Sequence, residues 1–476
     1  GGSSRLEAGE LAGLHQAELR RLRGSRMAMI FQEPMTALNP VERVGAQIAE
    51  VLEIHTPLGP SERRRKVLDI MAAVHLPDPE AMIDAFPHQL SGGQRQRVMI
   101  AAALVLDPVL LIADEPTTAL DVTTQAQILR LIAEMQARQG TGVLFITHDF
   151  GVVAEIAHRV VVMQAGRVVE VGTREEILSR PQAAYTRMLI GSVPSLEPPA
   201  RTAKAGAIAL ATDKLCKTYV SGGFLGGRRR VVKAAENVTI EVRRGETLGI
   251  VGESGSGKTT VARCIARLIE PSSGAIRIGD VDVAGLSEHR LRPHRKHVQI
   301  VFQDPYRSLN PRRTVGASII EGPVNFGELP AAALARARDL MQLVGLQPDA
   351  LGRFPHQFSG GQRQRIAIAR ALAMEPRLLI ADEAVSALDV SVQAQVLRLL
   401  DDVRERFDLA VLFITHDLRV AAQICDRIAV MQNGVVVESG AAREVFAAPK
   451  HPYTSMLFAA APGRGVRFGE SAVKAE

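Results

Sequence analysis

Apolar residues along this chain come in short unbroken runs that end in polar groups. In the second part, TLGIVG (247–252), RLLIADE (377–383) and LAVLFITHD (409–417) have the length of buried strands. VARCIARLIE (261–270) instead carries apolar positions at helical spacing and is expected to be an amphipathic helix. Strand runs alternating with helical runs predict a mainly parallel sheet with helices on its faces. RIAVMQNGVVVESG (427–440) has two apolar arms around Asn433-Gly434 and predicts a hairpin. Residues 304–358, which include PAAALARARDLMQLVGL, are rich in helix formers and predict a helical insertion.

The pattern occurs twice. FPHQLSGGQRQR (86–97) returns as FPHQFSGGQRQR (354–365), with only the fifth residue changed. Ser91 and Ser359, Asp114 and Asp382, and His148 and His416 are each separated by 268 residues, whereas Gln32 and Gln303 are separated by 271. A constant offset with one small slip describes two homologous domains in tandem. The first is expected over 1–190 and the second over 207–460. A Pro-rich linker (191–206) lies between them and a tail (461–476) follows.

One segment has no counterpart. GESGSGKTT (252–260) places Gly252, Gly257, Lys258 and Thr259 in the G-x-x-x-x-G-K-[ST] pattern, after a strand and before a helix. Glycines there allow backbone N–H groups to wrap a phosphate chain. The lysine neutralises the β- and γ-phosphates, and the threonine hydroxyl ligates Mg²⁺. Asp382 and Glu383 close a buried strand, where an aspartate holds magnesium and a glutamate can polarise an attacking water. His416 ends the next strand in an ITHD setting that His148 repeats, and Gln303 sits in FQDP. Each serine–glycine–glycine stretch opens a helical run, which makes a second type of anion site.

Composition narrows the classes. Charged residues make up 23% and aromatic residues 4%, there is no Trp, and the net charge is +6. Stacking surfaces for single-stranded nucleic acid are therefore not expected. The start, GGSSRLEAGEL, has no apolar stretch of the kind a signal peptide needs, and no run suits a membrane span. Cys216, Cys264 and Cys425 have no metal-type spacing and are expected to be reduced core thiols.

Taken in order, the P-loop, FQDP, the SGGQ signature, the DE pair, SALD and ITHD resemble the nucleotide-binding domains of ABC transporters, over nearly the whole chain. The resemblance implies two tandem P-loop NTPase domains, each with a helical subdomain. It is most similar to the ATPase subunits of dipeptide/oligopeptide importers, which include nickel and glutathione systems. DEPTTALDVTTQAQIL (114–129) and DEAVSALDVSVQAQVL (382–397) resemble the two paired ATPase types, fused. HPYTSMLFAAAP (451–462) and AAYTRMLIGSVPSLEPP (183–199) resemble the C-terminal segment of that subfamily, though no cysteine follows either, so no iron–sulfur cluster is expected.

The resemblance further implies ATP and Mg²⁺ as cofactors. ATP would contact Tyr219, which stacks on adenine, and Gly252, Glu253, Ser254, Gly255, Ser256, Gly257, Lys258, Thr259 and Thr260. Across a head-to-tail interface it would also meet Ser91, Gly92, Gly93 and Gln94. Thr259, Gln303 and Asp382 would hold the metal, with Glu383, His416 and Gln303 catalytic. A second site would draw on Gln32, Asp114, Glu115, His148, Ser359, Gly360 and Gly361. Aligning Gln32 with Gln303 places Gly1 beyond the first P-loop position, so the chain is expected to be N-terminally truncated and this second site degenerate.

The expected function is ATP hydrolysis that energises import of di- or oligopeptides. The partners would be two transmembrane permease subunits and an extracytoplasmic solute-binding protein, at the cytoplasmic face of the cell membrane. A second ATPase chain is a further possible partner, and nucleic acid is not expected. The alternatives are a soluble ABC ATPase acting on ribosomes or DNA, and an inactive truncated fragment. The short linker and the absence of inserted zinc cysteines weigh against the ribosome and DNA classes.

Overall fold

The computed structural model describes residues 3–7, 9–32, 37–117, 120–201, 206–221, 230–386, 388–466 and 468. The chain forms two compact units, one of residues 1–177 with 460–466, the other of residues 178–459 with the C-terminal end. Residues 178–190 of the expected first domain and 191–201 of the expected linker thus group with the second unit, and 460–466 with the first. Linker residue 206 also lies in the second unit, whereas 202–205 lie outside the described residues, as do position 467 and residues 469–476 of the tail.

In unit 2 the three apolar runs are strands, Thr247–Val251, Leu378–Asp382 and Ala410–Ile414, and every residue in them is buried. Such strands form the middle of a sheet covered on both faces. Six strands are ordered Val298–Val301, Leu378–Asp382, Ala410–Ile414, Thr247–Val251, Arg427–Gln432 and Val435–Ala441. Only the last pair is antiparallel. That pair is the hairpin expected around Asn433-Gly434, with positive φ at both residues (48° and 84°), as a tight hairpin turn of this kind demands. A second, antiparallel sheet contains Ile208–Ser221, Arg230–Val238 and Ser273–Ile278. The helical insertion consists of helices Val315–Asn325 and Pro330–Leu343 and leads into Gly360–Leu372.

One helix is shorter than its periodicity suggests. The helix after the P-loop runs Lys258–Ile265 and does not reach residue 270. Arg267 turns into the left-handed region (φ 51°), and its buried guanidinium donates to the carbonyls of Val283 and Leu286, both at 2.9 Å. These tertiary hydrogen bonds outweigh a local helical preference.

Unit 1 repeats the plan with a parallel sheet ordered Met27–Ile30, Leu110–Asp114, Gly142–Ile146 and a separate hairpin, Arg159–Gln164 with Arg167–Thr173. Among the described residues of this unit, no strand occupies the position that Thr247–Val251 holds in unit 2. Leu144, Ile146, Val161 and Met163 are exposed there, whereas Leu412, Ile414, Ala429 and Met431 in unit 2 are fully buried. The helical part, with helices Val44–His55, Pro60–Ala73 and Gly92–Leu104, encloses the unit's main core around Ile48, Leu52, Met71 and Ile100.

Candidate functional site

In unit 2 the expected groups converge at the carboxyl ends of three adjacent parallel strands, the position at which open α/β sheets bind ligands. Thr247–Val251 delivers the Gly-rich loop. Gly252 (φ 151°), Gly255 (φ 81°) and Gly257 (φ 105°) take backbone conformations that side chains disfavour, and Gly257 caps the helix that Lys258 begins. Lys258 is buried, and its Nζ donates to the carbonyls of Gly252 and Glu253, both at 2.8 Å. The ammonium is therefore held at the centre of its own loop. Ser256 is also buried, and its hydroxyl has no hydrogen-bond partner among the described residues. A buried hydroxyl without a partner is costly, and a phosphate oxygen is the kind of group that would satisfy it.

Leu378–Asp382 delivers the two acids. The Thr259 hydroxyl donates to Asp382 at 3.2 Å, which brings together two of the three expected metal ligands. Burial raises the Asp382 carboxyl above its ordinary value, against the smaller opposing effects of the Thr259 hydrogen bond, Arg263 and Lys258. Gln303 lies on the rim, where it donates to the Ser386 hydroxyl at 3.4 Å. Thr259, Gln303 and Asp382 line one open groove together with Ser359 and Gly360. The donors are all oxygen or amide groups, a set suited to a hard divalent cation.

Glu383 follows Asp382 in the left-handed region, with φ 50°, and Glu115 of unit 1 does the same at φ 47°. A non-glycine residue held there is strained, and such strain collects at functional positions. The Glu383 carboxylate faces His416 Nδ1 at 3.3 Å. Burial pushes the Glu383 carboxyl up, but the His416 hydrogen bond and charge, with Lys258, outweigh it and leave the group below its ordinary value. Burial likewise pushes His416 down, and Glu383 and Asp417 outweigh it, so the imidazole is raised. The contribution of the raised histidine is complete below its ordinary value of 6.5 and fades as pH rises through the folded value. That of the depressed acid is complete above 4.5 and fades as pH falls through its folded value. A double-mutant cycle on Glu383 and His416, read by thermal denaturation, is therefore expected to show its largest coupling between about pH 4.5 and 6.5 and a decline above that window.

Tyr219 lies on the antiparallel sheet with an exposed ring, and the Lys217 ammonium sits 5.2 Å from its centroid. Residues 254 and 260 of the loop lie in its turn and following helix.

Unit 1 holds its own cluster. Gln32 Nε2 donates to Glu115 at 2.9 Å, and His148 Nδ1 lies 3.0 Å from the other Glu115 oxygen. Asp114 closes the strand beside them. The glutamine of this unit thus reaches its glutamate, whereas Gln303 bonds to Ser386. The two signatures share one geometry. The Ser91 hydroxyl accepts from Gln94 N–H at 3.3 Å, and Gln94 Oε1 accepts from Ser91 N–H at 2.9 Å. Ser359 and Gln362 repeat this reciprocal cap at 3.3 and 3.0 Å. Gln94 is therefore a capping residue in this structure. Gly92 is exposed, and no atom lies within 4 Å of where its Cβ would be, so the helix entry is open to solvent.

The ABC transporter family pattern matches residues 3–118 and 235–386, which is more than half of the chain. The chain belongs to the ABC transporter family. As a member it binds ATP and hydrolyses it in the service of transport. A second pattern, the oligopeptide/dipeptide transporter C-terminal region, matches residues 169–219 and 437–467. This ABC ATPase is 48% identical to the glutathione import ATP-binding protein GsiA of Escherichia coli K12, over 95% of the chain and 77% of that relative. GsiA of Shigella flexneri matches to the same extent. A solved structure of cbiO1 from Clostridium perfringens, described as part of an ABC transporter complex, is 28% identical over 51% of this chain and 91% of that one, with a TM-score of 0.44. No helix among the described residues is long and apolar enough to cross a membrane.

Two supports of the ATPase site have no local sequence signal. Gly434 N–H in the hairpin turn donates to the Ser256 carbonyl at 2.9 Å, so the turn braces the P-loop from behind. The Tyr453 hydroxyl accepts from the Glu253 N–H at 3.2 Å, from a segment 200 residues away. A hint of the first was the Asn-Gly turn itself, and of the second the HPYT tetrapeptide.

Proposed function

We propose that this ABC ATPase powers the import of short peptides, glutathione-type tripeptides included. It would do so as a peripheral subunit on the cytoplasmic face of a membrane, docked on two permease subunits that an extracytoplasmic binding protein supplies. The observation that carries the reading is the cluster on adjoining strand ends: Lys258 inside its loop, Thr259 bonded to Asp382, and Glu383 paired with His416. The peptide assignment is supported by the match to the oligopeptide/dipeptide C-terminal region and by the printed function of the GsiA relatives.

In this reading the loop from Gly252 to Thr260 cradles the triphosphate, with Lys258 turning from the loop carbonyls to the phosphates. Tyr219 stacks on adenine. Thr259, Asp382 and Gln303 hold Mg²⁺, which when bound supplies positive charge against the phosphates. Glu383 accepts a proton from the water that attacks the γ-phosphorus, the bond to the bridging oxygen breaks, and ADP leaves. His416 orients the Glu383 carboxylate. Fixed groups of this kind, aimed at developing charge, account for most of the acceleration in phosphoryl transfer.

The test is affinity purification of the chain from membranes of a cell that expresses it. Recovery of two polytopic membrane proteins, together with loss of glutathione or dipeptide uptake when the gene is deleted, is the expected result. Co-sedimentation with ribosomes, and uptake unchanged by the deletion, would overturn it.

A further inference from the structure

The oligopeptide-type C-terminal region is unassigned in the chemistry above, yet it reaches the phosphate loop. Its first part is fixed by the hairpin strand Val435–Ala441. Glu438 accepts from the backbone N–H of Lys450 at 2.9 Å with one carboxylate oxygen and from that of His451 at 3.0 Å with the other. His451 Nδ1 then accepts from Tyr453 N–H at 3.2 Å. Burial raises the Glu438 carboxyl, but the nearby Thr454 hydroxyl and the backbone hydrogen bonds from Lys450 and His451 outweigh it and keep the group below its ordinary value, ionised as the arrangement requires. The helix Pro452–Ala459 begins here, with Tyr453, Thr454, Leu457 and Phe458 buried and the Phe458 ring stacked on Phe446, centroids 4.6 Å apart. The Tyr453 ring is consequently fixed before its hydroxyl meets anything.

That hydroxyl accepts from Glu253 N–H. The same peptide group presents the Gly252 carbonyl to Lys258 Nζ at 2.8 Å. One peptide plane is thus held from both ends, by Tyr453 at its N–H and by Lys258 at its oxygen. Gly252 has little freedom to move instead, because a Cβ there would lie 2.3 Å from the Met431 carbonyl oxygen.

We infer that Tyr453 is a positioning residue for nucleotide binding. Through its hydroxyl, the C-terminal region sets the orientation of the Gly252–Glu253 peptide, and with it the resting place of the Lys258 ammonium. With the hydroxyl gone, the peptide keeps only the tie of its oxygen to Lys258, which the ammonium gives up on turning to the phosphates, and the loop must then be ordered at the cost of binding. A neutral hydrogen bond of this type corresponds to a change of about three- to tenfold in affinity. The inference rests on the nucleotide-binding reading of the loop and deepens it.

The experiment compares the full chain, Tyr453→Phe and Lys258→Ala by equilibrium binding of a fluorescent ATP analogue and by steady-state ATPase assay, with thermal denaturation alongside. Tyr453→Phe keeps the buried ring. Its expected result is a Kd and KM for nucleotide raised about three- to tenfold, with kcat changed less than twofold. Lys258→Ala is expected to abolish binding. Binding intact in Lys258→Ala sinks the nucleotide reading itself. Binding lost in Lys258→Ala but unchanged in Tyr453→Phe sinks only the role of Tyr453, and so does a Tyr453→Phe chain that merely melts at lower temperature with an unaltered KM.

Discussion

Glu383→Gln is expected to lower kcat for ATP hydrolysis by about a hundredfold or more while leaving ATP affinity within about threefold. The substitution keeps the size of the side chain, so the left-handed turn at φ 50° and the approach to His416 at 3.3 Å persist. What disappears is the proton acceptor. The carboxylate is held ionised, because the His416 hydrogen bond and the Lys258 charge outweigh its burial. An amide cannot take a proton from water, and general-base assistance is worth about two to four decades in rate. In the proposed reading affinity is set elsewhere, by Lys258 and the loop amides, so a single-turnover assay should show bound, uncleaved ATP. A second readout separates loss of the base from loss of structure. With a neutral amide at 383, the negative charge that raises His416 is removed and only a neutral acceptor remains, so its imidazole should titrate lower in an NMR pH series. Undiminished turnover in Glu383→Gln would overturn the assignment of the base, and an unmoved His416 titration would overturn the pairing.

Much of this site was legible in residue order, for a physical reason. A buried parallel strand needs a continuous apolar run, and its ligand-binding end is where that run stops. LLIAD and AVLFI therefore announced both their strands and the acids or histidine just beyond them. The loop was legible because its glycines are demanded by backbone geometry. The parts that were not legible are long-range. Nothing near Glu253 foretells the Tyr453 hydroxyl, and nothing near Ile265 foretells that the Arg267 guanidinium ends the helix by bonding to Val283 and Leu286. The left-handed turn at Glu383 is equally opaque, since glutamate has no local preference for it and Glu383 N–H is bonded to the Ile414 carbonyl of the neighbouring strand at 2.9 Å. Ala165 makes the same point in reverse. It adopts φ 48° at the position where Asn433 does so in unit 2, although alanine lacks the side-chain hydrogen bonding that eases asparagine into that region.

Gly257→Ala is expected to weaken ATP binding at least a hundredfold, whereas Gly255→Ala, two residues away, should retain it. Both glycines have positive φ, 105° and 81°, so backbone conformation alone makes them alike, although the G-x-x-x-x-G-K pattern fixes only Gly257. Their surroundings differ. A Cβ on Gly257 would lie 2.1 Å from the Ala234 carbonyl oxygen and 3.4 Å from Gly434 Cα, both backbone atoms of elements that brace the loop. Neither can yield, because Ala234 lies within the strand Arg230–Val238, and Gly434 is tied by its N–H to Ser256 and by its carbonyl to Glu236. The loop itself would have to move, and Gly257 is the cap from which Lys258 and Thr259 start their helix. A displacement of that cap carries the ammonium and the hydroxyl away from the phosphates, and several charge-assisted bonds at about 1.5–3 kcal/mol each are lost together. A Cβ on Gly255 meets nothing within 4 Å, so the cost is confined to left-handed strain of about 1–2 kcal/mol in loop stability. Isothermal titration of the two variants with ATP decides the matter. Equal losses would mean that backbone conformation alone governs the loop and that the Ala234 and Gly434 braces contribute nothing to holding Lys258 in place.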